Sequence, residues 1–402
     1  MPRKKENARA ASGTGTIRKK TVTRNGKEYV YWEARYTVGF DPGTGKQIQR
    51  SITGKTQKEV AQKLKAATAA LDAGTYTAPC RMAVGAWMDI WAHDYLGGVK
   101  PYTVADYIGN IKNHIKPALG AVKLEALNTH TIQGFYNSLV RPPDEGGKGL
   151  SPKTLRNIHT VLHSALQQAV AVGYLRFNPS DACILPRMVK KDIKPMDEED
   201  CKAFLAAIQG HPLEALFTFT LFTGLRKGEV MGLCWDCIDF ARGTILIDKQ
   251  LQLERKKGGK YVFAPLKNDR ARTITPAPFV MKLLKRHRAK QAEQRLKLGP
   301  MWEDSGLVFT TETGRHLDLH TIQRAYKPIV ASIGCPDARF HDLRHSYAVA
   351  SIRSGDDIKT VQGNLGHATA AFTLDVYGHV TDQMKQESAR RMESYIKDVL
   401  GQ

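Results

Sequence analysis

The sequence predicts a multidomain protein of three parts. They are an N-terminal α+β domain with a three-stranded antiparallel sheet and one helix, a central all-α four-helix bundle, and a C-terminal, mainly helical domain with a small β-sheet. Strand-like runs with hairpin signals are confined to the first 80 residues, and no convincing strand occurs from residue 81 to 180. Beyond residue 196, helical and strand patterns are mixed. A chain of 402 residues is long enough for two or three domains.

Composition indicates a basic, intracellular protein. The formal net charge is +21, and positive charge exceeds negative charge in each predicted domain, most densely at the front. A basic excess along the whole chain favours a long polyanion as partner over a single anionic pocket. The six cysteines are scattered, which is typical of a reducing compartment. No apolar run is long enough to span a bilayer and the N-terminus has no secretory signal, so we expect a cytoplasmic, bacterial protein without a membrane partner.

The N-terminal segment is predicted to be a disordered basic tail over residues 1–15, followed by a domain over 16–76. The Asn25-Gly26 dipeptide is a strong hairpin signal, and Thr56 with Glu59 forms a capping-box sequence before an amphipathic helix. If the helix covers one face of the sheet, basic strand residues must occupy the other face and the edges. Such a surface can enter a DNA major groove, although an ordinary solvated face is the alternative. The candidate DNA-binding residues here are Arg18, Lys20, Arg35 and Lys46.

The central domain is predicted over residues 81–182, with helices near 84–91, 102–115, 129–139 and 152–172. Pro117 and Gly120 are expected to stop the second helix, and Ser151-Pro152 to begin the fourth. Lys153 and Arg156 fall on the first turn of that fourth helix, where backbone N–H groups also favour phosphate. The Pro- and charge-rich stretch 183–195 is predicted to be an interdomain linker.

The C-terminal domain is predicted over residues 196–402, with a tail helix at 382–400. The motif TGLRKGE places Arg226 and Glu229 at the start of a helix. Strand-like runs at 261–263 and 273–275 are expected to pair, with Lys267 in the turn between them. Two helices are predicted between 348 and 365, ending at Gly366. The two cysteines of a C-x-x-C, Cys234 and Cys237, flank a tryptophan in an apolar stretch, so core packing is favoured over metal or redox chemistry.

Six polar residues of this last domain form an unusual set: Arg226, Lys267, His341, Arg344, His367 and Tyr377. Each one alone has an ordinary structural explanation, but no structural rule asks for all of them together. The sequence contains no carboxylate cluster with metal-ligand spacing, no phosphate-binding Walker loop and no G-x-S-x-G elbow. We therefore predict a site without metal or cofactor.

A tyrosine that attacks a phosphodiester explains the set. Attack creates a five-coordinate phosphorus with extra negative charge, which two permanently protonated arginines can bind bidentately. A phenol has an ordinary pKa of about 10, so the cationic pocket or a histidine must assist its deprotonation. Lys267 could protonate the leaving 5′ oxygen. The phosphotyrosyl intermediate conserves the bond energy, so strands can be rejoined without ATP or metal.

These residues stand in motifs that resemble those of the tyrosine recombinases, the phage-integrase family. The motifs are TGLRKGE at Arg226, HDLRHSYA at His341 and Arg344, LGH ending at His367, and YGH beginning at Tyr377. By that resemblance Arg226, His341, Arg344 and His367 activate the phosphate, Tyr377 is the nucleophile, and Lys267 matches the hairpin lysine. Glu229 matches the acidic position that orients the first arginine.

The resemblance also implies partners. The 402-residue layout looks most like the integrases of conjugative transposons, which implies double-stranded DNA bound at core crossover sites and arm-type repeats. It implies a homo-tetramer acting through a Holliday junction, with an accessory excision or DNA-bending factor, on the bacterial nucleoid. Two other readings share the scaffold: a regulator that binds DNA without cutting it, and a monomeric type IB topoisomerase. We further expect Tyr377 to be placed for attack only in the assembled, DNA-bound complex.

Overall fold

A computed structural model describes residues 16–24, 26–73, 81–188, 194–254, 259–366 and 381–401. The chain divides into two compact units, Met1–Met188 and Val189–Gln402. In the described ranges, no helix is long and apolar enough to cross a membrane.

The N-terminal sheet has the predicted antiparallel order β1-β2-β3, formed by β1 (Thr16–Arg24), β2 (Lys27–Phe40) and β3 (Gln47–Gly54). Helix α1 (Gln57–Asp72) covers one face, where its Val60 and Leu64 pack on Ala34 and Tyr36 of β2. The Thr56 hydroxyl caps α1 by accepting a hydrogen bond from the Glu59 backbone N–H, as predicted. The Glu59 carboxylate, however, accepts from the N–H of Lys55 rather than of Thr56, so the capping box is only half formed.

The helical part of the first unit contains α2 (Val84–Asp94), α3 (Pro101–Asn110), α4 (Lys116–Leu119), α5 (Thr129–Val140) and α6 (Pro152–Ala171). One apolar core joins these helices, and its largest fully buried side chain is Trp87 of α2. The Ser151 hydroxyl accepts from the Thr154 N–H, so α6 begins as predicted with Pro152 in its first turn.

The helical stretch ends at Leu119 with Gly120 as its C-cap, as predicted, but the prediction that Pro117 stops the second helix is wrong. Residues Ile111–Ile115 form a π-helical turn that joins α3 to α4, and the chain stays helical to Leu119. The wider turn shifts the hydrogen bonding, because the Lys116 N–H donates to the carbonyl of Ile111. Pro117 has no N–H to donate, but the shifted register places it in the first turn of α4, where that donor is not needed.

The stretch that follows the helical domain lies against it as far as residue 186. The Gln133 amide and the Ile184 backbone exchange two hydrogen bonds, at 2.8 and 3.1 Å. The Arg156 Nη2 donates to the Pro186 carbonyl at 3.1 Å. Residues 189–193, in the middle of the predicted linker, lie outside the described residues.

In the residues that the structure describes, the second unit is mainly helical with two small sheets. Its helices are α7 (Glu198–Ala207), α8 (Glu214–Thr223), α9 (Lys227–Met231), α10 (Pro278–Leu298), α11 (Leu319–Ser332), α12 (Asp342–Arg353), α13 (Ile358–Leu365) and α14 (Thr381–Leu400). Its strands are β4 (Ile238–Asp239), β5 (Thr244–Ile247), β6 (Lys249–Leu253), β7 (Tyr261–Pro265) and β8 (Arg272–Ile274). The second unit thus has the predicted character of a helical domain with a small β component.

The predicted pairing of the strands on either side of Lys267 is wrong. Strand β7 pairs with β6, and β8 pairs with β5 in the sheet β4-β5-β8. The adjacent strands β6 and β7 form a local hairpin, while Ile245 and Ile274 bring β5 and β8 together through the core of the unit. Lys267 therefore lies on a connection between two sheets rather than on a hairpin turn.

Candidate active site

Arg226 and Glu229 interact across the first turn of α9. Arg226 is the N-cap residue, and its backbone N–H donates to Glu229 Oε2 at 3.0 Å. Its Nη1 donates to Glu229 Oε1 at 2.8 Å. The Glu229 side chain is 1% exposed, whereas that of Arg226 is 20% exposed. The carboxylate is thus an internal support, and the guanidinium it holds reaches the surface.

A second arginine, Arg272 of β8, completes the surroundings of Glu229. Its Nη1 and Nη2 donate to Glu229 Oε1 and Oε2 at 3.2 and 2.7 Å. Burial by itself would raise the pKa of Glu229, but the hydrogen bonds and charges of Arg272 and Arg226 outweigh it and hold the pKa below its ordinary value. Glu229 is therefore a carboxylate at neutral pH, bound by two guanidinium groups.

Arg344, in α12, is among the largest fully buried side chains of the described residues. Its Nη1 donates to the carbonyl of Gly224 at 2.8 Å and its Nη2 to the carbonyl of Leu365 at 2.8 Å. Gly224 ends α8 two residues before Arg226, and Leu365 ends α13. Arg344 therefore links the two segments that carry the predicted motifs.

Three arginines bind the C-terminal end of α13. The carbonyls of Asn364, Leu365 and Gly366 accept hydrogen bonds from Arg272 Nε at 2.9 Å, Arg344 Nη2 at 2.8 Å and Arg226 Nη2 at 2.8 Å, respectively. The last carbonyls of a helix have no partner within it and carry partial negative charge. The guanidinium groups donate hydrogen bonds to these carbonyls, and the same hydrogen bonds fix the positions of the guanidinium groups. Arg226 and Arg344 therefore bind adjacent carbonyls at the same helix end.

Glycine is required at two of these junctions. Gly224 has φ +62°, and a Cβ there would lie 2.4 Å from Cδ1 of Tyr347 and 2.7 Å from Cδ2 of Leu365. Gly366 has φ +65°, and its Cβ would lie 2.9 Å from Nη1 of Arg272. A side chain at either place would push α12, α13 or Arg272 away from the positions that the arginines need.

His341 precedes α12 as its N-cap residue, three residues before Arg344. Its ring packs edge-on against His345, with centroids 5.1 Å apart. Solvent reaches the residue, yet the surrounding protein removes enough hydration to lower the pKa of His341 to about 4, and the charges of His345 and Arg344 add to this effect. His341 is therefore a neutral imidazole at physiological pH, able to accept a proton.

Lys267 is exposed on the connection between β7 and β8. Its neighbour Asn268 donates to the Gly366 carbonyl at 3.4 Å, the same oxygen that Arg226 binds. This contact places the Lys267 connection at the end of α13, next to the arginines. His367 and Tyr377 lie outside the described residues, so their predicted places in the site remain predictions.

Sequence reasoning missed Arg272 and His345. Arg272 is 43 residues from Glu229 in the chain, and no spacing rule connects them. His345 lies one turn after His341, and that spacing could have suggested a contact. Cys234 and Cys237 are buried in the main core of the unit, as predicted. In the described part of the chain, no group of three or more His, Cys, Asp and Glu side chains could hold a metal ion.

The predicted DNA-binding residues of the first unit occupy different surroundings. By strand register, Arg18, Lys20 and Arg35 share one face of the sheet with Tyr31 and Glu33, opposite the residues that pack on α1. We call this the open face. Lys46 is exposed in the turn before β3 rather than on the strand, and Lys153 is exposed on α6. Arg156 is half-buried and holds the Pro186 carbonyl.

Comparison with known proteins identifies the family. Residues 194–384 match the Phage integrase family, and residues 83–140 match the family described as "Phage integrase, N-terminal SAM-like domain". A protein of Caldanaerobacter subterraneus named "Tyrosine recombinase XerC-like" is 30% identical over 393 residues, which cover 93% of this chain and 98% of that protein. The ICEBs1 integrase of Bacillus subtilis is 26% identical over 372 residues, covering 91% and 97%.

Solved structures share the fold. The Tn1549 transposon integrase in complex with a circular intermediate DNA superposes with a TM-score of 0.65 at 20% identity, covering 77% of this chain and 99% of that one. A lambda integrase tetramer bound to a Holliday junction gives a TM-score of 0.52 at 19% identity, covering 87% and 93%. Together with the match over nearly the whole length of a 30%-identical relative, these findings confirm the predicted family: the chain belongs to the phage integrase family and is a tyrosine recombinase, an enzyme of site-specific DNA recombination.

Proposed function

We propose that this recombinase integrates and excises a mobile genetic element by cleaving and rejoining DNA through a 3′-phosphotyrosine at Tyr377. The observation that carries this proposal is the convergence of Arg226 and Arg344 at the end of α13. A guanidinium group presents five N–H donors in a planar fork, a geometry that suits the oxygens of a phosphate. Those donors can bind the non-bridging oxygens of a phosphate and stabilise the charge that attack creates.

The remaining site residues divide the proton transfers. His341, being neutral, can accept the proton of the tyrosine hydroxyl, and His367 would bind a phosphate oxygen. Lys267 would protonate the leaving 5′ oxygen from its exposed connection beside Gly366. Glu229 takes no part in proton transfer, because two arginines hold it ionised and buried.

We infer three DNA-binding parts from the layout. Residues 16–76 would bind arm-type repeats, the four-helix domain of residues 81–182 would grip the core site with Lys153 near a phosphate, and residues 196–402 would cut. The relatives named above support a conjugative element, since one is an ICEBs1 integrase and another is a transposon integrase. An intact set of predicted catalytic residues argues against a silent regulator, and an arm-binding domain has no use in a monomeric topoisomerase.

The tail helix supports assembly into a homo-tetramer. On α14, the exposed apolar side chains Met392, Tyr395, Ile396, Val399 and Leu400 recur at helical spacing. A neighbouring protomer would bury this stripe, as would a different arrangement against its own domain. The lambda integrase tetramer supports the first arrangement.

The test is a suicide substrate, a nicked core-site duplex that traps the covalent intermediate, run with EDTA present. We expect a 3′-linked adduct that maps to Tyr377 and is absent from Tyr377→Phe. Tyr347→Phe, which removes another phenol of the second unit, serves as the control and should still form it. An adduct on Tyr377→Phe, or one that requires a divalent cation, would remove the proposal.

A further inference from the structure

The open face of the N-terminal sheet contains a carboxylate where a DNA-binding surface should repel one. Glu33 of β2 is only 5% exposed, although it lies on the face that α1 does not cover. In the antiparallel register it stands directly opposite Arg18 on one side and Thr53 on the other. An acidic side chain at the centre of a surface for a polyanion needs an explanation.

Glu33 is paired with three cations of this face, and Arg18 also donates hydrogen bonds to it. Arg18 donates to its Oε2 through Nε at 3.1 Å and Nη2 at 2.7 Å. Lys20 Nζ lies 3.5 Å from Oε1, and Arg35 Nε lies 3.7 Å from Oε2. The Arg18 hydrogen bonds lower the pKa of Glu33, burial opposes them, and the charges of Lys20 and Arg35 lower it further, so the group stays ionised.

The cations that surround Glu33 remain accessible. The side chains of Arg18, Lys20 and Arg35 are 54%, 39% and 49% exposed, against 7% for Glu33. The carboxylate is therefore shielded while its partners reach solvent. Next to them, Tyr29, Tyr31 and Thr53 line an open concavity of about 780 Å³ that continues the same face. The face thus combines a fixed group of cations with an aromatic and hydroxyl-bearing surface.

We propose that Glu33 is a positioning residue for recognition of the arm-type DNA site: it fixes the directions of Arg18, Lys20 and Arg35 so that they match the spacing of one DNA sequence. The inference rests on the arm-binding function proposed above. Mobile lysines and arginines bind any duplex, whereas fixed guanidinium groups select the base edges and phosphates that fit them. Glu33 lowers the net positive charge of the face and in return fixes its geometry.

Two physical effects predict opposite signs for Glu33→Gln. Removal of a negative charge from a DNA-binding face should strengthen binding to every duplex, because electrostatic attraction increases. Loss of the carboxylate should also release the three cations and weaken binding to the arm site. Glu28→Gln is the charge control: it removes the same charge from the same strand, on the face toward α1, at an exposed residue that has no ion pair among the described side chains.

The experiment uses the full chain and two probes. The first probe is a duplex motif that the wild type enriches from a random 30-base-pair pool. It must be a motif that the triple variant, Arg18→Gln, Lys20→Gln and Arg35→Gln, no longer enriches. The second probe is a random duplex of equal length. Glu33→Gln should bind the enriched motif about tenfold more weakly, the size of one lost directed contact, and the random duplex as tightly as Glu28→Gln does.

A second variant covers the case in which Glu33→Gln unfolds the sheet. Glu33→Asp keeps the charge but shortens the side chain, so any selective loss on the motif is an effect of position. Equal affinities of Glu33→Gln and Glu28→Gln for the motif, with both proteins folded by circular dichroism, would overturn the inference. If the triple variant still enriches every motif that the wild type enriches, the proposed arm-binding function itself is wrong. That result differs from equal affinities of Glu33→Gln and Glu28→Gln, which would overturn only the inference about Glu33.

Discussion

Arg272 and Glu229 form a two-point ion pair between β8 and α9, in which Nη1 donates to Oε1 and Nη2 donates to Oε2. The side chains are 11% and 1% exposed. The same arginine binds the Asn364 carbonyl through Nε. Its side chain therefore connects strand β8 with the start of α9 and the end of α13. The ion pair fixes the Glu229 carboxylate, which in turn orients Arg226 by accepting a hydrogen bond from its Nη1.

Arg272→Met should destabilise the second unit strongly. It leaves a buried carboxylate with one of its two guanidinium partners, and breaking a buried pair from one side costs about 3–5 kcal/mol. We expect a matching loss in the free energy of unfolding and a fall in covalent adduct. Arg242→Met is the control, since Arg242 pairs with Asp239 at 3.8 Å on the surface. Equal stabilities of the two variants in urea would contradict the structural role.

Arg344→Lys tests whether geometry or charge matters at the buried arginine. A lysine keeps the charge but cannot reach the Gly224 and Leu365 carbonyls together and still offer directed donors to a phosphate. We expect the rate of adduct formation on the suicide substrate to fall by about 10²–10³, as when one transition-state donor is lost. DNA affinity at fixed salt should change little. A lysine variant that cleaves at the wild-type rate would show that charge alone suffices.

The lowered pKa of His341 predicts a specific pH dependence. The unfolded chain has the ordinary histidine pKa near 6.5, whereas the folded one has a pKa of about 4. The unfolded state therefore binds the proton first, and stability that is complete above pH 6.5 is lost as the pH falls toward 4. Imidazole chemical shifts should show His341 neutral down to about pH 5. His341→Gln should lose less stability between pH 6.5 and 4 than the wild type; a folded-state pKa above 6 would contradict this expectation.

Gly224→Ala and Gly243→Ala separate two ways in which an added Cβ lowers the free energy of unfolding: the left-handed backbone conformation and steric contact. Gly243 also has positive φ, at +68°, but nothing lies within 4 Å of an added Cβ there. Gly243→Ala should cost about 1–2 kcal/mol, the cost of the left-handed conformation alone. Gly224→Ala adds the contact with Tyr347 at 2.4 Å, so about 1–3 kcal/mol more is expected, together with lost cleavage. Thermal unfolding of both proteins measures the difference, and equal midpoints would show that α12 and α13 shift without cost.

Local signals predicted much of the fold, including the local structure around Arg226 and Gly366. The capping residues Thr56 and Ser151, the helix that starts after Arg226 and the turn at Gly366 could all be identified because a few neighbouring residues determine them. The pairing of β8 with β5 could not, because strand partners are chosen by burial in a shared core. The same limit hid Arg272, whose role depends on contacts 43 and 92 residues away. The π-helical turn before Pro117 was hidden because a proline normally ends a helix.

The three arginines at the end of α13 also determine how the enzyme responds to ions. Arg226, Arg272 and Arg344 carry three positive charges close together, and Glu229 compensates one of them. Backbone carbonyls offset the rest only in part. An oxyanion that settles between Arg226 and Arg344 therefore relieves their mutual repulsion as well as gaining its own bonds. At ten times its Kd such an ion adds roughly 1.4 kcal/mol to stability. Sulfate or phosphate should consequently stabilise the second unit against unfolding, and the phosphates of bound DNA should stabilise it in the same way before any strand is cleaved.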